Sequence, residues 1–205
     1  MGLSIHYRGS LTDKRRINDF IDEVEDIAHS LEWPFRVLDD SWAQKPDANL
    51  ATNSAGQAEI TGNLGLKGVL FTPPKCESVS LCFNASGELS SMMNVIMSAE
   101  DDYMDAMSWI SVKTQFAGAE VHIAIVKLLR YLKGKYLHDL EVDDEGDYWE
   151  TGDAKLLGQK LDFLGGMIKR VAGALEQLEH TDGTDIVDKI EQVLRERFKP
   201  KDGEG

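Results

Sequence analysis

Two stretches of this chain run through the same order of elements, and that duplication constrains the fold more than any other feature. Residues 4 to 10 alternate, with Ile5, Tyr7 and Gly9 on one side and His6, Arg8 and Ser10 on the other, as a half-buried strand does. From Thr12, the expected N-cap, followed by Asp13, the residues Ile17, Phe20, Ile21, Val24, Ile27, Ala28 and Leu31 recur at three- and four-residue steps. That is the period of an amphipathic helix. Pro34 ends it, because proline lacks the amide a helix interior needs, and "FRVLDD" reads as a returning strand.

The second copy begins in "SVKTQFAG". A strand over 109–116 puts Ile110, Val112, Thr114 and Phe116 on one face and Trp109, Ser111, Lys113 and Gln115 on the other. Gly118 breaks the alternation, Val121, Ala124, Ile125, Leu128 and Leu132 give a helix, and "LEVDDE" returns. Strand, break, helix, strand and a closing acidic pair, written twice, predict an α+β chain with a duplicated βαβ, ferredoxin-like, mostly antiparallel sheet. The first strands of the two copies, 4–10 and 109–116, are then antiparallel neighbours at its centre.

Between the copies, residues 43–65 are rich in Gly, Asn, Ala and Ser and hold no sustained period, which predicts a mobile loop. "LKGVLFTP" and "SVSLCFN" follow as an inserted β-hairpin extending the same sheet, with Pro73 and Pro74 favouring its edge. Ser98, three residues before Asp101, opens a short helix whose Glu100, Asp101 and Asp102 suit the positive end of its dipole. Beyond "YWETGD" two apolar-striped stretches, about 153–180 and 184–198 with Thr184 as the second N-cap, predict a C-terminal helical hairpin. The expected organisation is an α+β domain over 1–150, containing the pseudo-repeat 4–40 and 109–145. The helical hairpin of 151–199 packs on it, and a disordered tail covers 200–205.

Charge narrows the function classes. Thirty-six acidic residues against 22 Lys and Arg leave a formal charge of -14, so the mean field repels nucleic-acid phosphate and anionic lipid and suits a basic protein partner. Cys76 and Cys82 are too few for a disulfide scaffold and fit no zinc spacing, which predicts free thiols. The start "MGLSIHYRGS" has no basic segment followed by an apolar core, and no apolar run reaches the 18 or so residues of a membrane span, so a cytoplasmic location is expected. Asn84, Ala85 and Ser86 spell a glycosylation sequon that reads more simply as a turn.

Catalytic signatures are sparse. There is no HExxH, no GxSxG and no GxGxxG; Glu120 and His122 point to different sides of a helix; His29, His138 and His180 stand apart in sequence. No catalytic residue, metal site or cofactor is therefore expected, although a spatial meeting of His6 or His122 with Asp39, Asp40, Asp143 or Asp144 stays open. Two surfaces carry the remaining expectations. If the two first strands are neighbours, His6, Arg8, Lys113 and Gln115 project from one sheet face and gather two fixed cations and an imidazole for an anionic ligand, unless nearby Asp39, Asp40, Asp143 and Asp144 neutralise them. The second is "DDEGDYWETGD", where Tyr148, Trp149 and Glu150 stand among acidic neighbours as a partner-contact patch. Surplus apolar residues on the first C-terminal helix, Leu156, Phe163 and Met167 beside the row from Leu157 to Leu175, predict a homodimer.

The segments "SIHYRGSL", "VKTQFAGAEVHIAIVKLLRYL" and "YWETGD" together resemble an uncharacterised family of bacterial soluble proteins over roughly residues 3–165. The resemblance implies a bacterial, cytoplasmic origin and transfers no activity or site residue. Two functions remain in view: a non-catalytic interaction protein with a basic protein partner, as immunity and antitoxin-like proteins have, or an enzyme or small-ligand binder using the His6, Arg8, Lys113 and Gln115 face.

Overall fold

The computed structural model describes residues 3–52, 56–98 and 109–176, and the chain divides into two units, residues 1–161 and 162–205. In order, the elements are β1 (Ser4–Arg8), α1 (Ile17–Ser30), β2 (Phe35–Asp39), β3 (Asn49–Thr52), β4 (Ala58–Thr61), β5 (Lys67–Phe71), β6 (Val79–Phe83) and β7 (Leu89–Ser90). They continue with α2 (Met92–Ser98), β8 (Ile110–Lys113), α3 (Ala119–Lys135), β9 (Glu141–Asp144), α4 (Tyr148–Thr151) and α5 (Ala154–Glu176). This is a mixed α+β fold with antiparallel sheets. The helix expected near Ser98, the second C-terminal helix with Thr184 and the tail lie outside the described residues.

The second copy closes as the pseudo-repeat requires. Strands β8 and β9 both pair antiparallel with β1, giving the order β8-β1-β9, with Ile5 opposite Val112 on one side and Asp144 on the other. The crossover helix α3 buries His122, Ile125, Val126, Leu128, Leu129 and Leu132. The first copy does not close on the same sheet. Strand β2 leaves to pair with β5 over five residues, from Phe35 opposite Phe71 to Asp39 opposite Lys67, and stands in a separate sheet of order β2-β5-β6-β7.

The reason lies in β6. All five of its residues are buried, so both of its faces and both of its edges need cover, and β2-β5 on one side and β7 on the other supply the edges. Gly68 makes the β5-β6 contact possible: its φ is +149°, and a Cβ there would stand 2.2 Å from the Leu81 carbonyl oxygen. The inserted hairpin therefore builds a second sheet with β2 instead of extending the first.

The sheets are stitched together at the end of β1. The Leu89 amide donates to the Gly9 carbonyl and the Leu11 amide to the Gly87 carbonyl, both at 2.8 Å. The Tyr7 hydroxyl, fully buried, donates to the Ser80 carbonyl at 2.8 Å and accepts from the Ser80 amide at 3.1 Å. Helix α1 packs against β2 and β5, and Phe20 on it meets Phe83 edge-on at 4.9 Å and Tyr136 at 5.3 Å, tying β6 to the end of α3.

Two local readings change. A 3-10 turn over Lys14–Arg16 leads into α1 and is capped by Asp13, whose side chain accepts from the Arg15 amide, whereas Thr12 bonds through its own amide to the Tyr136 carbonyl. The stretch 43–65 holds the hairpin β3-β4, in register from Asn49 opposite Thr61 to Thr52 opposite Ala58. Helix α5 is preceded by Asp153, whose carboxylate accepts from the Lys155 and Leu156 amides, and it runs as far as Glu176.

Candidate binding cleft and the charged sheet face

Alternation along β1 buries Ile5 and Tyr7 and leaves Ser4, His6 and Arg8 partly exposed on the opposite face. Directly opposed residues of antiparallel strands share a face, so Ser111 and Lys113 of β8 and Glu141 and Asp143 of β9 join them. Of the cations expected there, Arg8 is thereby matched. Arg8 donates to Glu141 Oε2 from Nη2 at 2.8 Å and from Nε at 3.1 Å, and its guanidinium lies 4.7 Å from the centre of the Trp109 ring. His6 stands opposite Asp143 and 4.0 Å from Glu145. The Lys113 amide donates to Glu77 Oε2 at 2.9 Å.

Gln115 is not part of that row. The strand ends at Lys113, and the amides of Thr114 and Gln115 both turn inward to the Leu3 carbonyl. Of the acids expected to neutralise the face, only Asp143 lies on it. Asp39 pairs with Lys67, Asp40 accepts from the Leu64 amide at 3.0 Å, and Asp144 points into the core.

Asp144 meets His122 there, one of the contacts the sequence leaves open. His122 Nδ1 lies 2.8 Å from Thr114 Oγ1, and Nε2 lies 3.0 Å from Asp144 Oδ1, off the alignment of a full hydrogen bond. The Gly146 amide donates to Asp144 Oδ1 at 2.7 Å and the Trp149 amide to Oδ2 at 2.8 Å. Burial pushes the Asp144 carboxyl up, but the His122 contact and the two amides outweigh it and hold the group below its ordinary value. Thr114, His122 and Asp144 follow the order of a nucleophile, base and orienting acid, yet the Thr114 and His122 side chains have no exposed surface, so no substrate reaches them. Their contacts tie the end of β8 to α3 and β9. Gly146 completes this arrangement, since a Cβ on it would stand 2.9 Å from His122 Nε2 and 2.7 Å from Leu157. Among the described residues, no group of three or more His, Cys, Asp and Glu is placed to hold a metal ion.

The aromatic patch is largely built into the fold. Tyr148 is buried, Trp149 is half-buried and Glu150 is exposed. Arg130 donates to the carbonyls of Tyr148, at 3.0 Å, and Trp149, and its guanidinium lies 5.5 Å from the Trp149 ring, with the Lys133 ammonium at 5.9 Å. These contacts leave an edge of Trp149 and Glu150 as the accessible part of the expected partner surface.

Where the two sheets are stitched, a cleft of about 730 Å³ opens, and its charged lining is Arg8, Glu88, Asp139 and Glu141. Asp139 is fixed by Ser10, whose amide donates at 2.9 Å and whose hydroxyl donates at 2.6 Å. Burial raises its carboxyl, the Ser10 bonds outweigh that, and the group titrates below its ordinary range. Glu88 accepts from Asn84 Nδ2 at 3.0 Å within the "NASG" turn. Three carboxylates thus face one guanidinium, and Glu141 already holds that guanidinium. Sequence reasoning singled out Arg8 but missed Glu88 and Asp139, which converge only through the pairing of residues 9–11 with 87–89. A second hollow of about 430 Å³, lined by Leu50, Ile60, Leu70, Met92 and Trp109 among others, is mainly apolar.

Comparison with models of known protein families, with curated proteins and with solved structures finds no match to this chain.

Proposed function

We propose that the chain is a binding protein whose cleft at the junction of the two sheets takes a cationic segment of a basic protein partner. The observation that carries this reading is the cleft's charge: Glu88, Asp139 and Glu141 line it against Arg8 alone. A guanidinium entering it exchanges hydration for charge-assisted bonds to carboxylates, which accept its planar fork on two oxygens. The net charge of -14 steers such a segment toward the molecule, and the cleft selects where it rests. The sheet face bearing His6, Arg8 and Lys113 is a weaker anion site, because Glu77, Glu141, Asp143 and Glu145 stand beside those residues.

The test is fluorescence anisotropy of a labelled octa-arginine peptide against the wild type, against Glu88→Gln with Glu141→Gln, and against Asp22→Asn with Asp26→Asn on the exposed side of α1. Both double variants remove the same charge. The cleft variant is expected to bind about tenfold more weakly, about 1.4 kcal/mol, with the α1 variant near wild type. Equal losses in the two variants would reduce the effect to net charge and defeat the reading. Thermal stabilisation by inorganic phosphate or a nucleotide, abolished by Lys113→Gln, would instead favour the anionic ligand on the sheet face.

A further inference from the structure

We infer, on the reading of the cleft as a cation site, that Arg8 is its built-in occupant, holding Glu141 until an arginine of the partner displaces it. Strands β8 and β9 flank β1 on opposite sides, so Arg8 stands between Glu141 of β9 and Trp109, the residue that precedes β8. It has a partner on each side. Nη2 and Nε donate to Glu141 Oε2 at 2.8 and 3.1 Å, and the guanidinium lies 4.7 Å from the centre of the Trp109 ring.

Both of those bonds fall on the same carboxylate oxygen. A guanidinium grips a carboxylate best through two parallel N–H bonds to its two oxygens, so an arginine arriving from outside cannot take that grip on Glu141 while Arg8 keeps Oε2. A lysine ammonium is a point donor and needs only the other oxygen. Asp139 and Glu88 are held by the uncharged donors Ser10 and Asn84, so binding there releases no cation. Release of Arg8 is easy, because its side chain is 43% exposed and that of Glu141 57%, where an ion pair contributes little. The face of Trp109 then keeps the displaced cation close by. The Arg8 contact is therefore autoinhibitory: it partly neutralises the cleft when no partner is bound, and it lowers the affinity for arginine by what its release costs.

The experiment is fluorescence anisotropy of labelled octa-arginine and octa-lysine against the full chain, Arg8→Gln and Arg36→Gln. Arg36 is exposed on β2, outside the cleft lining, so its variant removes the same charge elsewhere. Arg8→Gln is expected to bind octa-arginine about fivefold more tightly than the wild type and octa-lysine at most about twofold more tightly, with Arg36→Gln near wild type for both. In the wild type the Arg8 Nε–H resonance should move saturably as octa-arginine is added, a readout that needs no variant to fold. Three results would each overturn the displacement: Arg8→Gln binding octa-arginine no more tightly than Arg36→Gln, equal gains for the two peptides, or an Arg8 Nε–H resonance that stays fixed while the Glu141 amide shifts. Any of these leaves the cleft reading standing if Glu88→Gln with Glu141→Gln still weakens binding more than Asp22→Asn with Asp26→Asn. Equal losses in those two double variants would sink both.

Discussion

Replacing Tyr7 by phenylalanine tests how the two sheets are joined. The ring stays in place, so no cavity forms, but the hydroxyl that accepts from the Ser80 amide at 3.1 Å and donates to its carbonyl at 2.8 Å is lost. Tyr7 has no exposed surface and Ser80 is 5% exposed, so water cannot easily replace it. Leaving a buried amide or carbonyl without a partner costs about 1–3 kcal/mol. Two such groups, with some relaxation, place Tyr7→Phe at about 2–4 kcal/mol. In urea the midpoint should fall with the slope unchanged, because the surface exposed on unfolding is the same.

Alkali gives an independent readout of the same residue. Burial holds the Tyr7 phenol protonated well above its ordinary value near 10.0, outweighing the Ser80 bond that opposes it. A group raised in the folded state contributes stability that is whole below the unfolded value and is lost as pH rises above it. Wild-type stability should therefore decline above pH about 10 more steeply than that of Tyr7→Phe. A loss below about 0.5 kcal/mol at neutral pH, together with identical alkaline slopes, would refute the hydroxyl as the link between the sheets.

Other outcomes follow from the packing. Asp144→Asn turns an amide NH2 toward His122 or toward one of the two backbone amides that Asp144 accepts from and should cost about 1–3 kcal/mol in urea unfolding, while leaving octa-arginine binding unchanged once the variant is folded. Glu23 joins α1 to α3 through Lys135 at 2.6 Å and the Tyr131 and Tyr136 hydroxyls; burial opposes ionisation, but these bonds bring its carboxyl down to about 2. Its contribution is present above the ordinary carboxylate value and lost as pH falls toward 2, and solvent screening keeps it near or below about 1 kcal/mol, so Glu23→Gln should flatten the acid limb of stability by that amount. Cys76 and Cys82 are free, with burial raising their thiols to about 11 and about 12. Both should react with a thiol reagent in denaturant without prior reduction, and Cys82 should stay inert in the native protein.

The sequence carried the local elements further than their assembly. The alternation in residues 4–8 and 110–113 and the helical steps from Ile17 and Val121 survive in the structure, and the two strands are antiparallel neighbours. Periodicity, however, cannot say which edge a returning strand joins. The stretch "FRVLDD" alternates equally well beside β8 or beside β5, and the decision rests with β6, whose five residues "VSLCF" are all buried in a sheet of their own. Strands β3 and β4 escaped notice because "NLAT" and "AEIT" are short, mostly exposed and built largely from small residues, which give no burial alternation to detect. Helix α2, "MMNVIMS", has its Asn94 amide capped by the Ser91 hydroxyl and ends at Ser98, where the capping pattern in the sequence predicts a helix to begin.

Of the candidate site, Arg8 was legible because its strand was. Glu88 and Asp139 were not, since neither belongs to a motif and only the tertiary stitch at Gly9 brings them together. His122 and Asp144 met as one of several open pairings, in the core.

Whether the cleft receives a cationic segment is decided by amide chemical-shift mapping of the full chain with unlabelled octa-arginine. Saturable shifts are expected at Ser10, Asn84, Glu88, Asp139 and Glu141, the residues that line or hold the cleft, and none beyond salt effects at Asp22 and Asp26 on α1. Shifts spread evenly over the acidic surface, or confined to Trp149 and Glu150, would contradict it.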